Sequence, residues 1–316
     1  MKGILATTKV ACLVNPKAAN SKWLRRARLH TLLLKILSCQ VHDDFGEPRT
    51  TTEKAREACQ DCRVVVAMGG DGTVADVILG IMESGHAGQT SFGVIPFGSG
   101  NAFRKSFGIP KNPKRAVKLL DGGNTRKIDL METCGRFATF ASIGATALIT
   151  GEKLKNKIHG LWGHLIAGVK IFSASREVKT IMLEEGSDRQ GPFLKKTIKS
   201  PFLDCIITKT NYFGYGWLTA PYARVDDGYL DINLFEMKPL VYLLLFPLIY
   251  SGIYQRLSGG HYKARRAVIS GKGIPIQING EFIGNRDQIE FRVVPRAINM
   301  IVPDTKQAVK YFTSPN

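Results

Sequence analysis

The segment from Arg63 to Met68, with Val64-Val65-Val66 at its centre, runs straight into Gly69-Gly70-Asp71-Gly72-Thr73, and Val74, Val77, Ile78 and Ile81 follow at helical spacing. A β-branched run that is apolar at every position suits a strand buried on both faces. Apolar residues at i, i+3, i+4 and i+7 suit a helix packed along one side. Strand, glycine turn and helix in immediate succession commit this part of the chain to a parallel sheet covered by helices. The pattern repeats downstream: Phe92 to Ile95 leads into Gly98-Ser99-Gly100-Asn101 and a short helix from Ala102. It is also foreshadowed upstream. Val10 to Val14 ends in Asn15-Pro16, Lys22 to Leu37 reads as a helix, Val41 to Phe45 as a second strand, and a threonine cap within Thr50-Thr51-Thr52-Glu53 opens a helix through Ala58.

In a doubly wound sheet, ligands bind at the carboxyl ends of the strands. There the turn Gly69 to Thr73 delivers backbone N–H groups at a helix start, an arrangement that binds phosphate, and its glycines permit close approach. Gly98-Ser99-Gly100-Asn101 emerges on the same edge, so the two loops face one crevice. Asp71 cannot attract phosphate itself, which suggests an Mg²⁺ partner or a group that orients an acceptor hydroxyl. Gly98-x-Gly100-x-x-Phe103 is a dinucleotide fingerprint lacking its third glycine, and the chain holds no G-x-x-x-x-G-K-[ST].

Beyond about Asp129 the pattern changes to period two with turn dipeptides. Phe137 to Ile143, Phe202 to Thr208, Leu230 to Phe235 and Ile274 to Ile278 read as strands, and Ile289 to Val293 with Ile298 to Val302 as a closing pair. Gly151 to Phe172 reads as a helical interruption, and Asp304 to Phe312 as a short last helix. With 316 residues, 44% of them hydrophobic, two domains are expected. These are an N-terminal α/β domain with a doubly wound parallel sheet, residues 1–129 with 303–316 returning to it, and a C-terminal antiparallel β-sandwich domain, residues 130–302.

At this point the order of motifs resembles the diacylglycerol kinase catalytic-domain family, which includes sphingosine and ceramide kinases and bacterial lipid kinases. Asn15-Pro16, Gly69 to Thr73, Ile95-Pro96-Phe97-Gly98-Ser99-Gly100-Asn101-Ala102-Phe103, Asp227-Gly228-x-Leu230-Asp231 and Asn279-Gly280-Glu281 stand in the family's order. The resemblance implies a cleft between an ATP-binding domain and a lipid-receiving domain. It places Asn15, Pro16, Gly69, Gly70, Asp71, Gly72, Thr73, Gly98, Ser99, Gly100 and Asn101 at the nucleotide. It also implies a structural Mg²⁺ held by Asp227 with the carbonyls of Arg224 and Tyr229, while the residues themselves read equally as a plain Asp-Gly hairpin turn. The family's Asp-Gly-Glu is Asn279-Gly280-Glu281 here. An amide accepts no proton at neutral pH, so the base is expected to be Glu281, helped by Asp71.

The net charge of +18 suits nucleic acid, an anionic membrane or a phosphorylated substrate alike. With no basic aromatic-interleaved helix and no zinc or RNP-type motif, nucleic acid is not expected. Leu240 to Tyr254 is too short to span a bilayer at ~20 residues and contains Pro247 and Gly252. With Arg256, Lys263, Arg265 and Arg266 it reads either as a surface that rests on anionic lipid or as a buried helix. Scattered cysteines and the absence of a signal-peptide pattern point to a cytoplasmic protein, peripherally membrane-associated. Two other readings stay open. NAD kinases share Gly-Gly-Asp-Gly-Thr but also resemble one another in an Asn-Glu pair that this chain lacks as a dipeptide. Asn279 also suits a nucleotide or lipid binder without turnover.

Overall fold

The structure is a computed structural model that describes residues 8–15, 40–42, 50–98, 100–122, 124–156, 172, 177–258, 260–303 and 312. Its first half is a parallel sheet in the order β2 (Gln40–His42), β1 (Val10–Val14), β3 (Val64–Gly69), β4 (Ser91–Pro96). All six residues of β3 are buried, as a central strand covered on both faces requires. Helix α1 (Thr51–Asp61) opens on Thr50, where a capping box with Glu53 satisfies the first-turn donors. Helix α2 (Asp71–Glu83) buries Val74, Val77, Ile78 and Ile81. Gly80 lets α1 pack against it, because a Cβ there would meet Ala55 and the backbone at Thr52 and Arg56. The short α3 (Ala102–Ser106) and then α4 (Pro113–Gly122) follow β4. The expected helix over 22–37, Pro16 and Ser99 lie outside the described residues, as does most of the expected closing helix. Phe312 is described and buried, with its ring 6.4 Å from Phe107 in the core of this half.

The second half is antiparallel. It comprises β5 (Thr125–Thr133), β6 (Arg136–Ala138), β7 (Phe140–Gly144), β8 (Lys179–Asp188), β9 (Gly191–Ser200), β10 (Asp204–Thr208), β13 (Leu230–Phe235), β14 (His261–Ile278) and β15 (Glu281–Ile301), with a small ribbon of β11 (Tyr212–Phe213) and β12 (Trp217–Leu218). Strand β14 shifts register between Ser270 and Ile274, around Gly271 and Gly273, and pairs with β8 before the shift and β7 after it. The bend folds the sheet over one core that gathers Ile143, Leu183, Ile207, Ile232, Ile276 and Phe291. Helix α5 (Ala145–Asn156) begins earlier than the expected helix, whose continuation past 156 is not described apart from Phe172.

Three expectations need correction. The hairpin β8–β9 is absent from the sequence reading because Lys195, Lys196 and Lys199 interrupt its apolar alternation. The expected strand Ile274 to Ile278 is only the end of β14, whose earlier half carries Lys263, Arg265 and Arg266. The expected closing pair is one strand, β15: Val-Val-Pro-Arg reads as a turn, yet Arg296 takes φ 52° in a bulge and pairing with β5 resumes at Ile298. Beyond the bulge, Asn299 and Met300 lie parallel to Ser91 and Phe92 of β4, so β15 carries one continuous sheet from one half into the other. The boundary expected after residue 129 falls inside β5.

Candidate active site

The two glycine loops are fastened together at the carboxyl ends of β3 and β4. The backbone N–H groups of Phe97 and Gly98 donate to Gly69 O at 2.8 and 3.1 Å. A Cβ on Gly70 would meet Gly98 Cα at 3.1 Å, and one on Gly69 would overlap the Thr73 side chain. These glycines therefore serve loop-on-loop contact. Gly70 has φ −99°, so a left-handed backbone is not its reason, and Gly72 faces open space. Asn15 Nδ2 donates to Thr73 Oγ1 at 3.0 Å, tying the end of β1 to the start of α2. Asn101, left-handed at φ 49°, donates from Nδ2 to Gly98 O at 2.5 Å.

Asp71 completes the fastening. One carboxylate oxygen accepts Ala102 N–H at 3.1 Å and the other Phe103 N–H at 3.0 Å, so it caps α3 from the first turn of α2. Burial pushes its pKa up, against the pull of those two N–H groups, Lys105 and Arg104. Each oxygen thus serves the backbone of the second loop with one of its lone pairs.

Asp71 also lines a cavity of about 10 Å³, room for about one water, whose walls include Val74, Phe103, Thr139, Phe140 and Asn279. Asn279 and Gly280 form the tight turn between β14 and β15 with φ 50° and 88°, the pair of positive values a type I′ hairpin needs. The Asn279 amide is matched on both sides: Oδ1 accepts Thr139 N–H at 3.1 Å and Nδ2 donates to Phe137 O at 3.4 Å. A carboxylate would satisfy only the first. The Asn279 side chain is thereby engaged with the backbone of β6–β7.

Glu281 lies just past that turn, with its side chain 62% exposed and Oε2 2.6 Å from Arg136 Nη1. Asp76, on α2, belongs to the same group. Enclosure by protein and then the nearby Glu281 carboxylate raise its pKa, and Arg136 opposes them. The structure thus brings Asp71 to Asn279 across one cavity and Glu281 to Asp76 and Arg136 beside it. Arg136 is missing from the sequence reading because its only signal is the Cys134-Gly135 turn before it, with φ 50° and 70°.

The expected Mg²⁺ ligands converge, but on an amino group. Lys209 Nζ lies 2.9 Å from Asp227 Oδ1, 3.0 Å from Arg224 O and 2.5 Å from Tyr229 O. A metal ion does not fit there while the ammonium holds that place, and the plain hairpin-turn reading omits the lysine as well.

Helix α6 (Pro239–Tyr250), with α7 (Ile253–Leu257) behind Gly252, hangs on the far side of β12. Trp217 Nε1 and Gln255 Nε2 each donate to Ile249 O at 2.9 Å, and Tyr242 OH donates to Asp204 Oδ2 at 3.3 Å. Leu240, Leu244, Leu248 and Leu257 remain exposed, at 59%, 72%, 43% and 74%. The buried-helix reading fails for that face. The expected basic rim is largely neutralised, since Lys263 pairs with Asp227, Arg265 with Glu185, and Arg266 with Glu184 and Glu290. No helix among the described residues is long and apolar enough to cross a membrane.

Two interlocked glycine loops at the strand ends of a parallel sheet, packed against an antiparallel domain, define a two-domain protein of the α/β class. Residues 9–133 match the diacylglycerol kinase catalytic domain, and residues 196–302 the YegS C-terminal NAD kinase beta sandwich-like domain. A Pseudomonas aeruginosa protein described as "Probable lipid kinase YegS-like" is 29% identical over 93% of this chain and 94% of its own length. A diacylglycerol kinase from Mycobacterium tuberculosis is 26% identical over 93% and 95%. The fold matches a crystal structure of a diacylglycerol kinase from Bacillus anthracis with TM-score 0.69 at 20% identity, over 94% and 97% of the two chains. The chain thus carries a match to the diacylglycerol kinase catalytic domain followed by one to the YegS C-terminal domain, the make-up of a lipid kinase.

Proposed function

We propose that the protein transfers the γ-phosphate of ATP to the hydroxyl of diacylglycerol or a sphingoid-type lipid, held between the glycine loops and the Asn279 turn. The observation that carries this is Asp71, which locks both loops into one cradle while lining the cavity closed by Asn279 on the other side. The N-cap Gly70 offers no side-chain acceptor, so the first-turn N–H groups of α2 suit an anionic phosphate. Asn15 and Thr73 hold the entrance of that cradle. The Mg²⁺ that accompanies ATP supplies charge neutralisation on the phosphates, where most of the catalysis of such transfers resides. Glu281 takes the proton of the acceptor hydroxyl, with Arg136 orienting it and Asp76 keeping a second carboxylate close. Asp71 and Asn279 position and do not react.

The exposed leucines of α6 and α7 rest on the membrane that contains the lipid. Their chemistry supports this more than the cations do, because most of those are already paired. Incubation with γ-labelled ATP and Mg²⁺, offering a total lipid extract and, in parallel, NAD, tests the reading. Label in extracted lipid supports it. Label in NAD with none in lipid would replace it with the NAD kinase reading, and saturable ATP binding without transfer would replace it with a binder.

A further inference from the structure

The buried cluster around Lys209 lies apart from the phosphate cradle. Lys209 follows β10 directly, is fully buried, and its N–H donates to Thr139 O at 2.8 Å. An ammonium has three N–H donors. Here three acceptors surround it at 2.5 to 3.0 Å: Tyr229 O, Asp227 Oδ1 and Arg224 O. Asp129 Oδ2 adds a fourth contact at 3.1 Å. The remaining oxygens are also spoken for: Asp129 Oδ1 accepts Arg296 N–H at 2.8 Å, Asp129 Oδ2 accepts Gly228 N–H at 2.7 Å, and Asp227 Oδ2 meets Lys263 Nζ at 2.5 Å. Within the cradle two carboxylates, Asp129 and Asp227, therefore face two ammonium groups, while a third, Asp231 on β13, acts on Lys263 from outside it and bonds His261 through Oδ1.

We propose that Lys209 is a built-in cation: its ammonium occupies the cradle of Asp227, Arg224 and Tyr229 in place of a structural divalent metal, and makes the joint between the two halves of the protein independent of metal. Mg²⁺ needs oxygen ligands at about 2.0–2.1 Å in octahedral array, whereas these oxygens stand at ammonium distances. Admitting the metal would require the amino group to leave a site where 1% of its side chain is exposed. The cradle gathers β5 through Asp129, β10 through Lys209, the 224–229 turn, β14 through Lys263 and the bulge of β15 through Arg296. Those strands carry the sheet from one half to the other, so the lysine performs the organising task that a metal would otherwise perform. The inference rests on this packing and does not depend on the proposed phosphate transfer.

The test uses the full chain without nucleotide, so that Mg²⁺ bound with ATP does not enter. After dialysis against EDTA, the wild-type protein is expected to hold well under one equivalent of divalent metal by elemental analysis, with a Tm unchanged within about 1 °C by EDTA, Mg²⁺ or Ca²⁺. Lys209→Met, which fills the space without a charge, is expected to lower Tm by at least about 5 °C, with no recovery in either cation. Lys209→Ala opens the space, and its Tm is expected to rise with millimolar Mg²⁺ or Ca²⁺. A stoichiometric metal in the wild type, or a wild-type Tm that falls in EDTA, overturns the proposal even if neither variant folds. So does a Lys209→Met variant as stable as the wild type, or a Lys209→Ala variant indifferent to both cations.

Discussion

Replacing the Asp71 carboxylate by an amide turns one of its two acceptors into a donor that faces the N–H of Ala102 or Phe103. Asp71→Asn is therefore expected to lose ~1–3 kcal/mol of stability, the scale of a charge-assisted hydrogen bond, and to bind ATP about tenfold more weakly. Thermal unfolding and nucleotide titration check this. Unchanged Tm and ATP affinity with lost turnover would instead mean that Asp71 reacts. Single residues were legible in the sequence where a motif carries them: Asn15, Gly69 to Thr73 and Asn101 all lie in one connected cluster. What the motif did not reveal is which atoms each residue engages. The motif does not announce that Asp71 caps α3, and Asn279 reads as a damaged carboxylate pair although an Asn-Gly dipeptide suits a type I′ turn. Lys209 and Asp129 carry no local signal, because their partnership joins residues far apart in the chain.

At the scale of elements, the strand and helix periods identify β1, β3, β4, β7, β10, β13 and α2, whose apolar residues face the interior. They fail for β9 and the first half of β14, where one face is basic and open to water, and at Val-Val-Pro-Arg, where a bulge passes as a turn. The helix α6 is apolar nearly throughout, so its pattern cannot tell a core from a lipid-facing surface; exposure decides that. Burying a leucine in lipid is worth about 1.5–3 kcal/mol. The pair Leu240→Asp and Leu244→Asp is expected to weaken cosedimentation with anionic lipid vesicles at least about tenfold, with phosphotransfer to a detergent-dispersed lipid retained. Unaltered vesicle binding would remove α6 from the membrane contact.

For the whole molecule, stability should respond to pH in two opposed ways. Asp204 is fully buried and accepts hydrogen bonds from the Thr146 backbone N–H and hydroxyl and from Tyr242 OH. Burial pushes its pKa up to about 7, against the pull of those bonds. The folded state then binds the proton more tightly than the unfolded chain, whose Asp titrates near 3.9. This contribution is complete below about pH 4 and is lost as pH rises through about 7. Asp227 behaves oppositely. Burial raises its pKa, but Lys209 and Lys263 outweigh that and leave it low, so its contribution is present above about pH 4 and is lost as acid protonates it. Asp204→Asn is expected to unfold about 2–4 °C or more above the wild type at pH 8, with the difference shrinking toward pH 5. A pH-independent difference between the two proteins would deny the shift.

The two halves share one sheet through β5 and β15, and that sharing sets the Asn279 turn across one cavity from Asp71 and Phe103, with Glu281 beside Arg136 and Asp76. Phosphate transfer as proposed requires that they form one active site. The most direct measurement is the rate of lipid phosphorylation by Glu281→Gln beside the wild type at saturating ATP, with ATP affinity determined independently. The expected result is a loss of ~10²–10⁴-fold in rate with ATP affinity unchanged, the scale of a missing general base. A Glu281→Gln variant that phosphorylates lipid at the wild-type rate would contradict the account, as would a wild-type protein that transfers no phosphate to any lipid.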